Sequence, residues 1–421
     1  MVKGGHDFRA SPTFYVARRD PSRCRGCGSC EELVACFSGR VGYAEGCIGC
    51  GACSLACPYQ AIEMREREKV KEIEIRIDGE KFSVEERMTV LKALELAGYK
   101  VSRYPGKGFF APCGVGGCWS CAVVVDGEVK PSCITGVKDG MVIETELPKD
   151  HIPKRLVHGW MGHPVGGVGT PWYLKNTYWY IEAAVFACGC NLRCPQCQNW
   201  TTTYCSREIA YEPKEAAILT TDARRRYGVN RMAISGGECT LNRPWLVRYI
   251  RELKRLNPDA KARFHVDTNA SILTKDYIDE LVEAGMTDIG IDLKGLRVET
   301  FMRITGVEDR ELAEIYLQTA WDAFKYLADK YKDRVFIGIG IPYNKELISI
   351  EEVSRIGDEI FKIDPEVQVC VLDYRPEFRR RDIVKPTFFE MTRVWDALHR
   401  SGLKTVICQT ERGHIGPAKD W

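Results

Sequence analysis

The sequence predicts an α/β protein in which a strand–helix alternating half follows two small cysteine-rich domains. Three observations lead there. Cysteines gather in two tight groups, eight within residues 24–57 and four within 113–133. Around the second group, apolar residues alternate as in short strands joined by a hairpin. Beyond residue 178, short apolar runs alternate with amphipathic helices, the pattern of a parallel sheet or barrel with its chemistry at the C-terminal strand ends.

Composition narrows the function classes. The 421 residues carry 60 Lys and Arg against 58 Asp and Glu, so a net charge of +2 offers no case for nucleic acid or an anionic membrane as partner. At 45% hydrophobic the chain can bury a sizeable core, which excludes disorder. No run of 18 apolar residues is present and Met1–Ala10 has no apolar signal core. The chain therefore reads as cytoplasmic, with no membrane span. Twenty cysteines in so long a chain do not suit a small secreted disulfide framework and point to metal.

Residues 1–68 form the first predicted domain. Its cysteines run Cys24-x2-Cys27-x2-Cys30-x5-Cys36, then Cys47-x2-Cys50-x2-Cys53-x3-Cys57-Pro58. The second run has the bacterial ferredoxin spacing, in which the fourth cysteine crosses to the other cluster. Cys24, Cys27, Cys30 and Cys57 are then expected to hold one [4Fe–4S] cluster, and Cys36, Cys47, Cys50 and Cys53 a second. A pair of zinc sites is the alternative reading of the same thiols. The block resembles dicluster ferredoxins, departing in the longer gap before Cys36 and in lacking Pro after it.

Residues 69–147 form the second. Ile73, Ile75 and Ile77 alternate along Glu72–Ile77, Asp78-Gly79 is a hairpin signal, and Thr89 caps a helix with Val90, Leu91 and Leu94 on its apolar side. Cys113-x4-Cys118-x2-Cys121-x11-Cys133 follows, the plant-type [2Fe–2S] spacing with a short final gap. The domain resembles the β-grasp ferredoxins, and its cysteine loop is most similar to the iron–sulfur subunit of succinate dehydrogenase.

Residues 148–178, rich in Pro and Gly, read as a linker in which His151, His158 and His163 are exposed. In residues 179–421 strands are expected near Tyr180–Phe186, Arg231–Ser235, Arg263–Asp267, Thr287–Asp292, Val335–Ile341 and Val367–Leu372. Helices are expected over Lys214–Tyr227, Trp245–Asn257, Lys275–Ala284, Leu312–Tyr331 and Ile350–Ile363.

Cys190-x3-Cys194-x2-Cys197 follows the first of these strands. Three thiolates at this spacing can hold three irons of a cubane and leave the fourth iron open to a ligand. Here the chain resembles the radical S-adenosylmethionine (SAM) superfamily over residues 179–408, which implies a partial (β/α) barrel and reductive cleavage of SAM to a 5′-deoxyadenosyl radical. Ser235-Gly236-Gly237-Glu238, 38 residues beyond the trio, matches the superfamily's glycine-rich motif. The resemblance assigns Gly236, Gly237 and Glu238 to SAM's amino group.

Within that superfamily the pyruvate formate-lyase activating enzyme and its activase-like relatives are more similar still. Asp267-Thr268-Asn269 matches their DTN motif and Asp292-Leu293-Lys294 their DLK motif, with Thr305-Gly306-Val307 beyond. The resemblance implies that Asp267, Thr268 and Asp292 hold a monovalent cation and that Lys294 meets SAM's carboxylate. Three positions depart from the pattern. Gln196 precedes the third cysteine where an aromatic is usual, Cys239 follows Glu238 in place of Pro, and Tyr374-Arg375 stands where a His is expected.

The expected cofactors are three [4Fe–4S] clusters, one [2Fe–2S] cluster, SAM and a monovalent cation. The expected partners are an external low-potential electron donor and a protein or peptide substrate. Modification of a small molecule, and an electron-transfer adaptor with a vestigial SAM site, are the alternatives. Cys188, Cys205, Cys239, Cys370 and Cys408 stay without a role, and His265 is expected to point inward as a core residue. Gly338 and Gly340 share a strand face and either leave room for a polypeptide or pack closely. The Arg379–Arg381 run reads as a solvated loop.

Overall fold

The computed structural model describes residues 13–164, 167–174 and 181–417. The reading of Met1–Ala10, the start of the first expected strand at Tyr180, and parts of the 148–178 stretch lie outside them. The chain forms two compact units, one of residues 1–157 with 187–191 and 199–211, the other of 158–186, 192–198 and 212–421.

The first unit begins with an antiparallel ribbon, Tyr15–Arg19 against Ile62–Glu66, in which Ala17 faces Met64. Between its strands lie two five-residue helices, Ser29–Leu33 and Ala52–Ala56. Each is entered through a left-handed glycine, Gly28 and Gly51. A β-carbon on Gly49 would sit 2.6 Å from the Tyr15 carbonyl, so the cysteine loop can wrap the ribbon only without a side chain there.

A mixed five-stranded sheet follows in the same unit, ordered Glu80–Glu85, Glu72–Ile77, Val142–Glu144, Ala122–Val125, Glu128–Pro131. Asp78 and Gly79 both take positive φ, as a tight hairpin turn needs. The alternation of Ile73, Ile75 and Ile77 puts all three in the core with Val84, Leu94, Val123 and Ile143. Helix Val90–Leu96 packs on that core, and the Thr89 hydroxyl accepts from the Lys92 amide at 3.0 Å to cap it.

The second unit is α/β. Arg231–Gly236, Arg263–Thr268, Asp288–Asp292, Phe336–Tyr343, Gln368–Asp373 and Val406–Thr410 pair in parallel in that order, and Gly413–Ile415 adds an antiparallel edge. Ile181–Ala187 lies beside Arg231–Gly236, and the sheet is open rather than closed on itself. Helix starts follow capping chemistry: Glu212 and Glu215 form a reciprocal box with Pro213 at the first turn, and Ser349 accepts from Glu352. Two helices outside the expected set, Val298–Thr305 and Phe388–Arg400, complete the alternation.

The 148–178 stretch is not a simple linker. Arg155–Pro164 is a ten-residue strand with Arg155, Leu156 and Val157 buried. Its Gly and His residues hide the alternation in the sequence. Nor are its histidines exposed, for His158 and His163 are half-buried, with ring centroids 5.8 and 5.2 Å from that of Phe186.

Downstream, Val168 and Gly169 enter the inner face of the sheet. A β-carbon on Gly338 would lie 2.2 Å from the Gly169 amide nitrogen, and one on Gly340 3.1 Å from the Val168 methyls. The glycine face is therefore filled by the chain itself. Gln368 pins this plug by donating to the carbonyls of Gly167 and Thr170, and Arg231 donates to that of Gly169 at 2.9 Å.

Candidate functional site

The first unit gathers its thiols in three sets. Cys24, Cys27, Cys30 and Cys57 line one cavity together with Arg19 and Pro58. Cys36, Cys47, Cys50 and Cys53 line another. The crossed grouping follows from the fold, because the ribbon brings Cys57 back to the first turn. Amides point at sulfur in both: Ala61 to Cys57 at 3.3 Å, and Ala17 and Gly49 to Cys47 at 3.4 Å. Burial pushes the free Cys50 thiol up to about 11 and that of Cys53 up to about 12. Thiols so desolvated suit metal, which takes them as thiolates and removes the burial penalty.

The third set is fully buried. Cys113 contacts Cys118 and Cys133, and Cys121 contacts Cys133. The backbone amides of Val115 and Cys118 turn toward Cys113. Four buried thiols joined in a chain of three contacts, with amide donors beside Cys113, fit a small iron–sulfur cluster.

Cys190 belongs to the first unit; Cys194 and Cys197 belong to the second. The Cys194–Cys197 loop is clamped from two sides. Arg193 N donates to the Thr305 carbonyl at 2.8 Å, and a β-carbon on Gly306 would lie 2.4 Å from the Arg193 carbonyl oxygen. The Thr305-Gly306 match thus has a packing reason. Opposite, the amides of Arg379 and Arg380 donate to the Pro195 carbonyl at 2.9 and 3.2 Å. Arg379 and Arg380 are thus held through their backbone, while Arg381 is exposed as a solvated loop residue. Gln196 is buried and donates to the Ile304 carbonyl at 2.8 Å, so it packs where an aromatic was expected.

The motif residues meet at successive strand ends. Gly236 takes φ 117°, a conformation that favours glycine. Glu238 is buried, and its Oε1 accepts from the Thr240 amide at 2.9 Å, the Thr240 hydroxyl at 2.6 Å and the Thr268 hydroxyl at 2.7 Å. Its Oε2 accepts from the Asn269 amide at 2.7 Å. The structure therefore bonds Glu238 to Thr268, two residues expected to face different ligands.

Asp267 accepts from the Ser235 hydroxyl at 2.8 Å. Burial, then the Asp292 charge, pushes its carboxyl up to about 8, although a third of the side chain still faces open space. A β-carbon on Gly290 would lie 2.7 Å from Asp267 Oδ1, and one on Gly340 2.3 Å from Asp292 Oδ1. Both carboxylates therefore rest on glycines. Two repelling carboxylates in a drying cradle fit a hard cation. Lys294 Nζ stands 3.0 Å from Asp292 Oδ2 and 3.2 Å from the Tyr374 hydroxyl. Desolvation opposes its charge most strongly, but Asp292, Tyr374 and Cys194 outweigh it and hold the ammonium above the usual lysine range. A buried cation with one carboxylate neighbour can still receive a second carboxylate. Tyr374 thus joins the site through Lys294; its position after the sixth strand was the signal in the sequence.

The remaining candidates have local roles. Cys239 is buried and donates to the Asp267 carbonyl at 3.2 Å. Cys188 contacts Cys205 in an apolar cluster with Leu156. Cys370 and Cys408 are buried on adjacent strands. His265 is buried as expected, and its Cε1 would lie 2.5 Å from a β-carbon on Gly169. Among the described residues no helix is long and apolar enough to cross a membrane.

Comparison with known proteins adds three domain matches. The Radical SAM superfamily model matches residues 185–354. The 2Fe-2S iron-sulfur cluster binding domain matches residues 70–148, and the 4Fe-4S binding domain matches 43–63. A probable GTP 3′,8-cyclase of Saccharolobus solfataricus is 36% identical over 95 residues, 23% of this chain and 29% of that protein. An AdoMet-dependent heme synthase of Methanosarcina barkeri is 30% identical over 137 residues, 30% of this chain and 35% of that one. A component of the NADH-quinone oxidoreductase of Mycobacterium bovis is 36% identical over 91 residues, 21% and 11% of the two chains. The chain spans well under half the length of each of these relatives.

Proposed function

We propose that this radical SAM enzyme with ferredoxin-like domains cleaves S-adenosylmethionine reductively and abstracts hydrogen from an organic substrate, with electrons arriving through its own iron–sulfur arm. The observation that carries this reading is the convergence of Asp267, Asp292 and Lys294 at neighbouring strand ends. Cys190, Cys194 and Cys197 would hold a [4Fe–4S] cluster with one iron open. When bound, that cluster supplies the electron and the open coordination position that split SAM's sulfonium.

The chain's own residues do the rest. Gly236 and Gly237 let backbone approach SAM's amino group. Lys294, held by Asp292 and Tyr374, offsets SAM's carboxylate. Asp267 and Asp292, with Thr268 at the same strand end, would hold a monovalent cation that relieves their repulsion. Cys24, Cys27, Cys30 and Cys57 would hold one [4Fe–4S] cluster of the arm. Cys36, Cys47, Cys50 and Cys53 would hold another, and Cys113, Cys118, Cys121 and Cys133 a [2Fe–2S] cluster; an external low-potential donor would feed this arm.

The DTN and DLK turns support an activase-like reading with a protein or peptide substrate. A second reading, modification of a small molecule, is favoured by the filled inner face, where Val168 and Gly169 take the space at Gly338 and Gly340. The names of two relatives, a GTP cyclase and a heme synthase, lean the same way.

The test is anaerobic turnover with dithionite. Iron-loaded protein should form 5′-deoxyadenosine and methionine, and Cys190→Ala, Cys194→Ala and Cys197→Ala together should abolish both. Iron-loaded wild type that forms neither would overturn the reading. Deuterium transfer into 5′-deoxyadenosine from labelled peptides or small molecules then separates the two substrate classes.

A further inference from the structure

Gly117 and Gly189 meet backbone to backbone inside the first unit. A β-carbon on Gly117 would lie 2.7 Å from the Gly189 nitrogen and 2.8 Å from the Cys188 carbonyl carbon. A β-carbon on Gly189, whose φ is 83°, would lie 2.9 Å from the Cys118 nitrogen, 3.1 Å from Cys113 Cβ and 3.3 Å from Cys113 Sγ. No other residue type fits either position without pushing the two segments apart. Gly117 lies one residue before Cys118, and Gly189 one residue before Cys190.

Hydrogen bonds fix the contact. Leu156 N donates to the Gly117 carbonyl at 3.2 Å, and Cys188 N donates to the Leu156 carbonyl at 3.0 Å. Gly189 N donates to the Thr203 carbonyl at 3.2 Å, and the Arg103 guanidinium donates to the Asn191 carbonyl. Cys113, Cys118 and Cys190 are all buried.

The eight-cysteine block approaches the same set from its other side. A β-carbon on Gly136 would lie 2.8 Å from Phe37 Cζ and 3.0 Å from Ile48 Cγ2. Phe37 follows Cys36, Ile48 follows Cys47, and Gly136 is three residues beyond Cys133. A second approach runs from Ala35 N to the Ser206 hydroxyl at 2.8 Å, with Leu33 packed beside Cys188 and Cys205, and so ends on thiols outside the trio.

We propose that the Gly117–Gly189 contact is the electron outlet of the arm: it seats Cys113 against Gly189, the residue before Cys190, so that the trio is reduced from the Cys113–Cys133 site. The Cys36–Cys53 set then stands upstream of that site. Each transfer moves one electron and no atoms. The two-iron site is oxidised by one equivalent as the trio's cluster is reduced by one; the Cys36–Cys53 cluster returns an electron to the two-iron site and is itself restored by an external one-electron reductant. The inference rests on the reading of the trio and the arm as iron–sulfur sites, so its test does not use SAM cleavage.

The test is electron paramagnetic resonance on anaerobically iron-loaded, full-length protein reduced with titanium(III) citrate. The two-iron signal should relax faster, and saturate at higher microwave power, when the trio's cluster is reduced beside it. In the Cys190→Ala, Cys194→Ala, Cys197→Ala variant, with its other three clusters retained, that enhancement should disappear. Identical saturation in the two proteins would overturn the proposal. Gly117→Leu should slow reduction of the trio's cluster in freeze-quench samples while iron content stays unchanged. A wild-type rate in that variant would likewise overturn it. Should Gly117→Leu fail to fold, stepwise reductive titration of the wild type decides alone: two-iron relaxation that does not change as the trio's signal appears refutes the contact. A protein with this coupling but no 5′-deoxyadenosine formation would sink the proposed function and leave the outlet standing.

Discussion

Glu238 accepts the Thr268 hydroxyl at 2.7 Å and so ties the end of one strand to the turn that follows its neighbour. With both Thr240 donors and the Asn269 amide on the same carboxylate, four donors depend on one buried side chain. Glu238→Ala leaves them all without it, and buried donors left unmade cost about 1–3 kcal/mol each. The expected loss is about 3 kcal/mol or more, read as faster hydrogen exchange in strand Arg263–Thr268. Glu238→Gln keeps Oε1 but opposes its amide to Asn269 N, and should fall between. Unchanged protection in Glu238→Ala would leave its role to SAM alone.

Tyr374 stands 3.2 Å from Lys294 and Asp292 stands 3.0 Å away, so Lys294 has two supports of unequal strength. Tyr374→Phe removes the neutral one and should weaken SAM binding by about 1 kcal/mol, roughly fivefold in Kd. Lys294→Met removes the cation and strands Asp292, and should weaken binding by about 3 kcal/mol or more with every cluster retained. Equilibrium dialysis with labelled SAM measures both. Equal effects would mean that the hydroxyl and not the charge holds the ligand.

What could be read from the sequence followed short-range chemistry. Cysteine spacing pointed to the three thiol sets of the first unit, because one cluster needs several sulfurs close in the chain, but not to the Cys188–Cys205 contact. The alternation of Ile73, Ile75 and Ile77 located a strand because its period is local. The plug formed by Val168 and Gly169 was not legible. Its partners, Gly290 and Gly338, lie more than a hundred residues away, and a Gly-rich stretch reads as a linker whether or not it is packed. The contact of Arg379 and Arg380 with Pro195 was missed for the same reason, since it uses backbone amides that any residue supplies. The bond between Glu238 and Thr268 was hidden because each motif was assigned a ligand separately.

His265 is buried, and burial, with Arg231 and Arg263, holds its imidazole well below the usual histidine range. The unfolded chain therefore binds a proton that the folded one refuses, between that low value and about 6.5. The resulting stability is full above about pH 6.5 and falls as the pH drops, by up to about 1.4 kcal/mol per pH unit. Asp267 Oδ1 stands 3.9 Å from His265 Nε2, and its own raised value leaves it little charge to offer a cation there in acid. Denaturation midpoints should drop between pH 6.5 and 5, and His265→Leu should flatten that slope. An equally steep slope in the variant would place the acid sensitivity elsewhere.

Metal content follows from the thiol sets. Three four-iron clusters and one two-iron cluster amount to about 14 iron atoms per chain. Anaerobic reconstitution should reach that figure without stoichiometric zinc. The leftover thiols argue against more, since Cys188 contacts Cys205 and Cys239 donates to the Asp267 carbonyl. A stable value near ~18, one further cubane, would contradict that placement.

Val168 and the glycines around it test whether the inner face is a floor or a vacancy. The Val168 methyls lie 3.1 Å from where β-carbons on Gly290 and Gly340 would stand, and those same positions crowd Asp267 and Asp292. Val168→Ala removes two methyl groups and should cost about 2 kcal/mol by lost burial and the small cavity left. Gly338→Ala is the harsher change, because its new atom would meet the Gly169 backbone at 2.2 Å and backbone cannot rotate away. Overpacking of that kind costs about 1–3 kcal/mol and more where no side chain can yield. Urea midpoints should therefore rank wild type above Val168→Ala, and Val168→Ala above Gly338→Ala. If Gly338→Ala is instead neutral, Val168 and Gly169 leave the sheet readily, and the glycine face is open to a substrate after all.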